Sequence, residues 1–147
     1  MMNRLLKMLV PGFAAVALVA MPAVGADDAK AAFYAAADKA AADYRDAHAA
    51  CETLEQNAQS VCIEEAKLAQ IKVKMNAEAQ YRNTPQIRQK ARIDIANAEF
   101  AVAAARCENS EGNDKNSCIR HARALRAVAI AAAKDGEKTV AAGTGMR

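Results

Sequence analysis

The chain has 147 residues, of which 53% are hydrophobic but only 4% aromatic, with no tryptophan, and its formal net charge is +3. Alanine dominates the hydrophobic fraction, so helices are favoured while each buried side chain removes little apolar area from water. No segment has the run of about 18 apolar residues that a spanning helix needs, and acidic residues are interspersed with basic ones, which disfavours a nucleic-acid surface.

Residues 1–26 have the pattern of a cleavable signal peptide. Arg4 and Lys7 are followed by an apolar segment over residues 8–21, and small residues precede a predicted cut after Ala26. Without Arg4 and Lys7, the 20 basic residues become 18, against 17 acidic ones, so the mature chain is close to neutral. We therefore expect a protein exported to the periplasm without stable membrane insertion.

Residues 27–82 are predicted to form a first helical hairpin. Its first helix runs from Asp27 to about Leu54, and Asn57 is expected to cap the second helix, which ends within residues 81–85. Apolar residues recur at steps of three and four, as along a buried stripe. The first stripe is Phe33, Ala37, Ala40, Tyr44, Ala47 and Cys51; the second is Cys62, Ala66, Ala69 and Val73, widened by Leu68, Ile71 and Met75.

Residues 83–136 are predicted to form a second hairpin, followed by a disordered tail over residues 137–147. Thr84 and Pro85 are typical of a helix start, Asn113 or Asp114 begins the last helix, and Gly136 is expected to end it. The predicted stripes are Ile93, Asn97, Phe100, Ala104 and Cys107, with Ile95 and Val102 beside them, and then Cys118, Ala122, Leu125 and Ala129.

The two hairpins are copies of one unit. A shift of 56 positions places Cys51 and Cys62 on Cys107 and Cys118, with ten residues between the members of each pair. In a continuous helix the two Cα atoms of a pair would be about 16 Å apart, too far for a disulfide, so a bond within a pair requires a turn. Gly112 and its polar neighbours supply the residues for such a turn.

Four cysteines allow three pairings. We favour Cys51 with Cys62 and Cys107 with Cys118, because each partner is held close by local structure and each closed loop removes about 3 kcal/mol of unfolded-state entropy. Cross pairing between the hairpins, as in proteins with twin Cys-x9-Cys helices, stays open as the alternative.

Both copies combine an aromatic residue, a Cys-x10-Cys turn and an Asn at a fixed position in that turn, over residues 44–66 and 100–122. Together with the signal peptide, this pattern resembles a group of small exported proteobacterial proteins that are often labelled TolA-like, for cell-envelope biogenesis. The resemblance covers most of the mature chain and implies an envelope role. Gln56 departs from the pattern by replacing the usual turn glycine.

His48 and His121 each lie three positions from a cysteine, on one helix face. With reduced thiols, His48, Cys51, Cys118 and His121 are candidate zinc ligands, but an oxidising compartment and the Cys-x10-Cys spacing favour structural disulfides and no metal. A redox-active pair is disfavoured, because catalytic dithiols typically occur as Cys-x-x-Cys. A calcium loop is also disfavoured, because Cys107 and Cys118 occupy the positions where such a loop needs carboxylates.

Arg120, Arg123 and Arg126 are spaced along one helix face, and we expect that face to be solvated, with an anionic partner as the alternative. The sequence contains no arrangement of residues typical of a catalytic site.

We therefore expect an all-α fold of two disulfide-stapled hairpins, packed as a four-helix bundle or left as an extended tandem. The expected function is a non-enzymatic structural or stress-related role in the cell envelope, without a cofactor and through protein partners. The alternative is a periplasmic binding module, either a hairpin-type chaperone or a metal-binding protein. A chaperone is expected to show a concave apolar surface that includes Phe33, Tyr34, Tyr81 and Phe100.

Overall fold

A computed structural model describes the backbone of residues 25–144 and the side chains up to residue 136, so residues 1–24 of the predicted signal peptide lie outside the described part. This part of the chain consists of four α-helices joined by short turns. They are α1 (Ala26–Cys51), α2 (Gln56–Arg82), α3 (Pro85–Cys107) and α4 (Gly112–Thr144). The predicted all-α class and the two stapled hairpins are confirmed.

Local chemistry explains how the hairpins are separated. Asn83 adopts the left-handed conformation at the end of α2, with φ 43°. The Thr84 hydroxyl then accepts a hydrogen bond from the backbone N–H of Ile87 at 3.3 Å, and Pro85 occupies the first position of α3. Because proline lacks an N–H and has a helical φ, this sequence starts a new helix and cannot extend the old one.

The helices form a single open layer. α1 packs against α2, α2 against α3, and α3 against α4, and no other pair of helices within residues 25–144 is in contact. The two hairpins therefore pack on each other through α2 and α3, but the layer does not close into a four-helix bundle. The structure therefore lies between the two predicted arrangements: the hairpins are packed together, but within residues 25–144 α1 and α4 do not meet.

The core of the layer consists of small side chains. The buried apolar residues are Ala40, Cys51, Ala66, Ala91, Ala96, Ala98, Val102, Cys107, Ala122 and Ala133. Alanine at these positions lets neighbouring helices approach closely, although each residue buries little area. Such a core contributes little stability per residue, so the disulfides between helices contribute a larger share of the free energy of folding.

Several predicted details are wrong. α2 begins at Gln56 with Glu55 as its N-cap residue, so Asn57 lies inside the first turn and is not a cap. α4 passes through Gly136 and continues to Thr144, so part of the predicted tail is helical. Ala69, Val73 and Leu125, which were assigned to buried stripes, are exposed.

Candidate functional site

The cysteines form the two disulfides that we favoured. Cys51 is bonded to Cys62 and Cys107 to Cys118, with Cα–Cα distances of 5.6 Å and 5.7 Å. Each bond ties an edge helix to an inner helix next to their connecting turn. Cys51 and Cys107 are 0% and 1% exposed, so their sulfur atoms are part of the core. The alternative of cross pairing between hairpins is wrong.

The two turns have the same backbone geometry despite different sequences. In each, an N–H three residues beyond the first cysteine bonds back to the cysteine carbonyl, from Leu54 to Cys51 and from Ser110 to Cys107, both at 3.0 Å. The residue five positions after the first cysteine has a left-handed backbone in both copies, with φ 47° at Gln56 and 54° at Gly112. Gly112 adopts this conformation without strain. In Gln56 the same conformation is strained, because the Cβ atom lies close to the following carbonyl oxygen.

Within the described residues, neither histidine belongs to a group of three possible metal ligands. The Nδ1 atom of His48 is 3.6 Å from a carboxylate oxygen of Glu52, and its ring contacts Tyr44 edge-on at 5.6 Å. His121 is exposed on α4. The cysteine partners in the zinc alternative are bonded in disulfides, and no group of three possible ligands occurs in the described part of the chain.

Three of the four aromatic residues named for a chaperone surface meet at one end of the first hairpin. The rings of Phe33 and Tyr81 stack at 5.4 Å between centroids, and Tyr34 contacts Phe33 at 5.2 Å while remaining 54% exposed. The fourth residue, Phe100, lies elsewhere, where it packs below the guanidinium of Arg126 at 5.3 Å. The structure thus divides the predicted apolar surface into two separate places.

A shallow groove of about 390 Å³ runs between α2 and α3. Its apolar residues include Ile71, Met75 and Ala98, and its rim carries charged side chains. We call it the α2–α3 groove. Its full lining is Glu64, Lys67, Gln70, Ile71, Lys74, Met75, Asp94, Asn97, Ala98 and Ala101.

Two ion pairs occupy the charged rim of this groove. Lys67 donates to Glu64 at 2.6 Å, and this hydrogen bond raises the pKa of Lys67; partial burial opposes the rise, while the charges of Glu64 and Tyr44 add to it. Lys90 similarly donates to Asp94, which raises the pKa of Lys90. These amines therefore stay protonated at neutral pH and are poor candidates for bases or nucleophiles.

Sequence reasoning missed the polar contacts that hold the helices in register. The Asn57 amide donates to the Ala105 carbonyl of α3 at 2.8 Å, and its own carbonyl oxygen is buried without a donor. Arg126, expected on a solvated face, donates to the Asn97 side chain at 2.7 Å. No local signal identifies such contacts, because each partner lies on a different helix.

The described part of the chain contains no helix long and apolar enough to cross a membrane. Comparisons of the sequence and the structure with protein-family models, curated proteins and solved structures gave no match.

Proposed function

We propose that the chain is a non-enzymatic protein exported to the periplasm, with a structural or stress-related role in the cell envelope. The observation that supports this most strongly is the use of all four cysteines in disulfides between neighbouring helices. Such bonds persist in oxidising compartments and are rare where thiols are kept reduced.

The open layer supports a role that depends on helix surfaces. A closed bundle buries one side of every helix, whereas here α2 and α3 have two packed sides and two free ones, and α1 and α4 have one packed side. The free surfaces carry many charged side chains, and the large apolar residues exposed among the described ones are Tyr34, Leu54, Val73, Leu125 and Val128. This arrangement suits a rigid element that meets other envelope components, and the paired amines of the groove do not suit an active site.

Localisation and thiol state test the proposal together. The full chain and a chain lacking residues 1–26 are expressed in a proteobacterial host, and each is treated with a thiol-alkylating reagent before extraction. We expect the full chain in the periplasmic fraction, starting at Asp27 and unlabelled at its cysteines, and the truncated chain in the cytosol with labelled thiols. A full-length product in the cytosol with labelled cysteines would contradict the proposal.

The second candidate is a periplasmic binding module of the chaperone type, supported by the partly exposed aromatic cluster of Phe33, Tyr34 and Tyr81. Such a module should suppress aggregation of an unfolding client, and Tyr34→Ala should reduce that suppression. Phe100→Ala is the matched control, because Phe100 lies outside the cluster. Wild-type protein that leaves client aggregation unchanged would eliminate this candidate.

A further inference from the structure

One side of the layer carries a set of basic residues that we call the basic face: Arg45, Lys67, Lys74, Arg120, Arg123 and Arg126. Shared pockets and one side-chain hydrogen bond place four of them, Arg45, Lys67, Lys74 and Arg126, on this side. Lys67 and Lys74 line the α2–α3 groove together with Asn97. Asn97 in turn accepts a hydrogen bond from Arg126 of α4. On α1, Tyr44 lines a small cavity with Gln70, which also lines the groove, and Arg45 lines a shallow surface depression with Tyr44.

Arg120 and Arg123 extend this face along α4. They precede Arg126 by six and three positions, a spacing that keeps all three on the same side of a helix. At the equivalent positions of α2, the first hairpin has Glu64, Lys67 and Gln70, whose formal charges sum to zero. The second hairpin therefore supplies most of the positive charge of the basic face.

The opposite side of the layer is electrically compensated. Two ion pairs join α2 to α3 there, Lys72 with Glu99 at 2.9 Å and Arg106 with Glu65 at 2.6 Å. Glu65 and Lys72 lie roughly 150° round the helix from Lys67 and Lys74, so these pairs belong to the other face.

On the basic face, Glu64 is already paired with Lys67, and Asp94 is paired with Lys90. Arg45, Lys74, Arg120 and Arg123 are exposed and have no carboxylate partner among the described side chains. These four cations are thus not ion-paired within the described residues, although Glu52 lines the same surface depression as Arg45.

We propose that the basic face docks on an anionic phospholipid surface. The charges are spread over α1, α2 and α4 of an open layer, so their arrangement matches an extended negative surface better than a single anionic group. Each Lys or Arg near such a surface adds to the attraction, and salt weakens it. We expect this association to be held by charge and to be reversed by salt. This inference rests on the proposed envelope role and names the surface through which the protein would act there.

Vesicle binding tests the inference directly. Disulfide-bonded protein starting at Asp27 is sedimented with vesicles of phosphatidylglycerol mixed with phosphatidylcholine, and with vesicles of phosphatidylcholine alone. We expect binding to the anionic vesicles only, with release at high salt. Arg120→Gln with Arg123→Gln should weaken binding about thirtyfold, since two surface cations are removed.

The matched control is Lys39→Gln with Lys72→Gln, which removes the same charge from exposed ion pairs away from the basic face. It should bind nearly as well as wild type, and circular dichroism should show that both double variants remain helical. Equal binding to both vesicle types would overturn the proposal, as would an equal loss in both double variants. Binding to soluble heparin without binding to anionic vesicles would also overturn it. The assay uses purified protein, so its failure is distinguishable from failed export, which the fractionation experiment measures.

Discussion

Helix α3 lies between two neighbours, whereas α1, its counterpart in the first hairpin, lies at the edge of the layer. The two helices share the buried positions that face their own hairpin partner, since Ala40 and Ala96 are both buried, as are Cys51 and Cys107. They differ on the side where α3 meets α2. There α3 buries Val102, while the equivalent residue of α1 is the exposed Asp46. The repeat thus preserves the stapled hairpin and changes the residues that decide whether another helix can pack beside it.

The largest expected effect comes from exchanging these two residues. Val102 is 5% exposed between α2 and α3, so Val102→Asp places a carboxylate in an apolar contact and should destabilise the protein by about 4 kcal/mol. Asp46→Val should change the free energy of unfolding by less than about 0.5 kcal/mol, because that side of α1 is open. Chemical denaturation followed by circular dichroism measures both.

If Val102→Asp leaves no folded protein, Val102→Ala provides a milder test, with an expected loss of about 2 kcal/mol. Similar small effects for Val102→Asp and Asp46→Val would show that the two hairpins do not pack on each other in solution.

Removing one disulfide at a time sharpens the comparison between edge and inner helices. Replacing Cys51 and Cys62 by Ala, or Cys107 and Cys118 by Ala, should each reduce stability by about 3 kcal/mol. The two variants should differ in which helix becomes less stable. Amide exchange should accelerate mainly in α1 for the first pair and mainly in α4 for the second, because these edge helices have one neighbour each. Uniformly faster exchange in all four helices would contradict this assignment.

The hairpins could be predicted from sequence because their signals are local. These signals are the cysteine spacing, Gly112 in the second turn, and Thr84–Pro85 at the start of α3. Each depends only on residues close together in the sequence, and each is found as expected. Packing between helices could not be predicted in this way. Leu125 has the spacing of a buried residue but is 57% exposed, because α4 has no neighbour on that side.

The candidate site was harder to predict than the fold, because its contacts join distant parts of the chain. Asn57 is a good N-cap residue in isolation, yet the structure uses its amide to reach the carbonyl of Ala105 on α3. Glycine often ends helices, but α4 continues through Gly136. A Cβ added at Gly136 would lie 2.9 Å from the Arg92 guanidinium of α3. Gly136 therefore lies inside α4 against the Arg92 side chain and does not end the helix.

The turns offer a smaller effect of opposite sign in the two copies. Gln56→Gly should stabilise the protein by about 0.5 kcal/mol, since relief of the left-handed strain outweighs the added freedom of the unfolded chain. Gly112→Gln should destabilise it by a similar amount. No atom lies within 4 Å of a Cβ built at Gly112, so only the backbone conformation opposes the change. Equal signs for the two variants, measured by thermal unfolding, would refute the equivalence of the turns.

The smallest expected effect is a loss of stability at alkaline pH, which we expect in the first hairpin and not at the equivalent position of the second. Lys67 of the first hairpin pairs with Glu64, whereas its counterpart Arg123 is preceded by Arg120. The hydrogen bond to Glu64 raises the pKa of Lys67 above its ordinary value of 10.5. Folding therefore strengthens proton binding, so the stabilisation is complete below pH 10.5 and is lost as the pH rises through the folded pKa.

Lys67→Arg keeps the charge without titrating in this range, so urea unfolding from about pH 9 upward should show a shallower alkaline decline than wild type. The difference should be below about 0.5 kcal/mol, because the pair is partly exposed. Arg123→Lys is the control: it introduces a titrating amine without a carboxylate three residues before it, so it should not add a decline of this kind. Identical alkaline profiles for wild type and Lys67→Arg would mean that the Glu64 pair contributes nothing to folding, and the raised pKa would then have no consequence for stability.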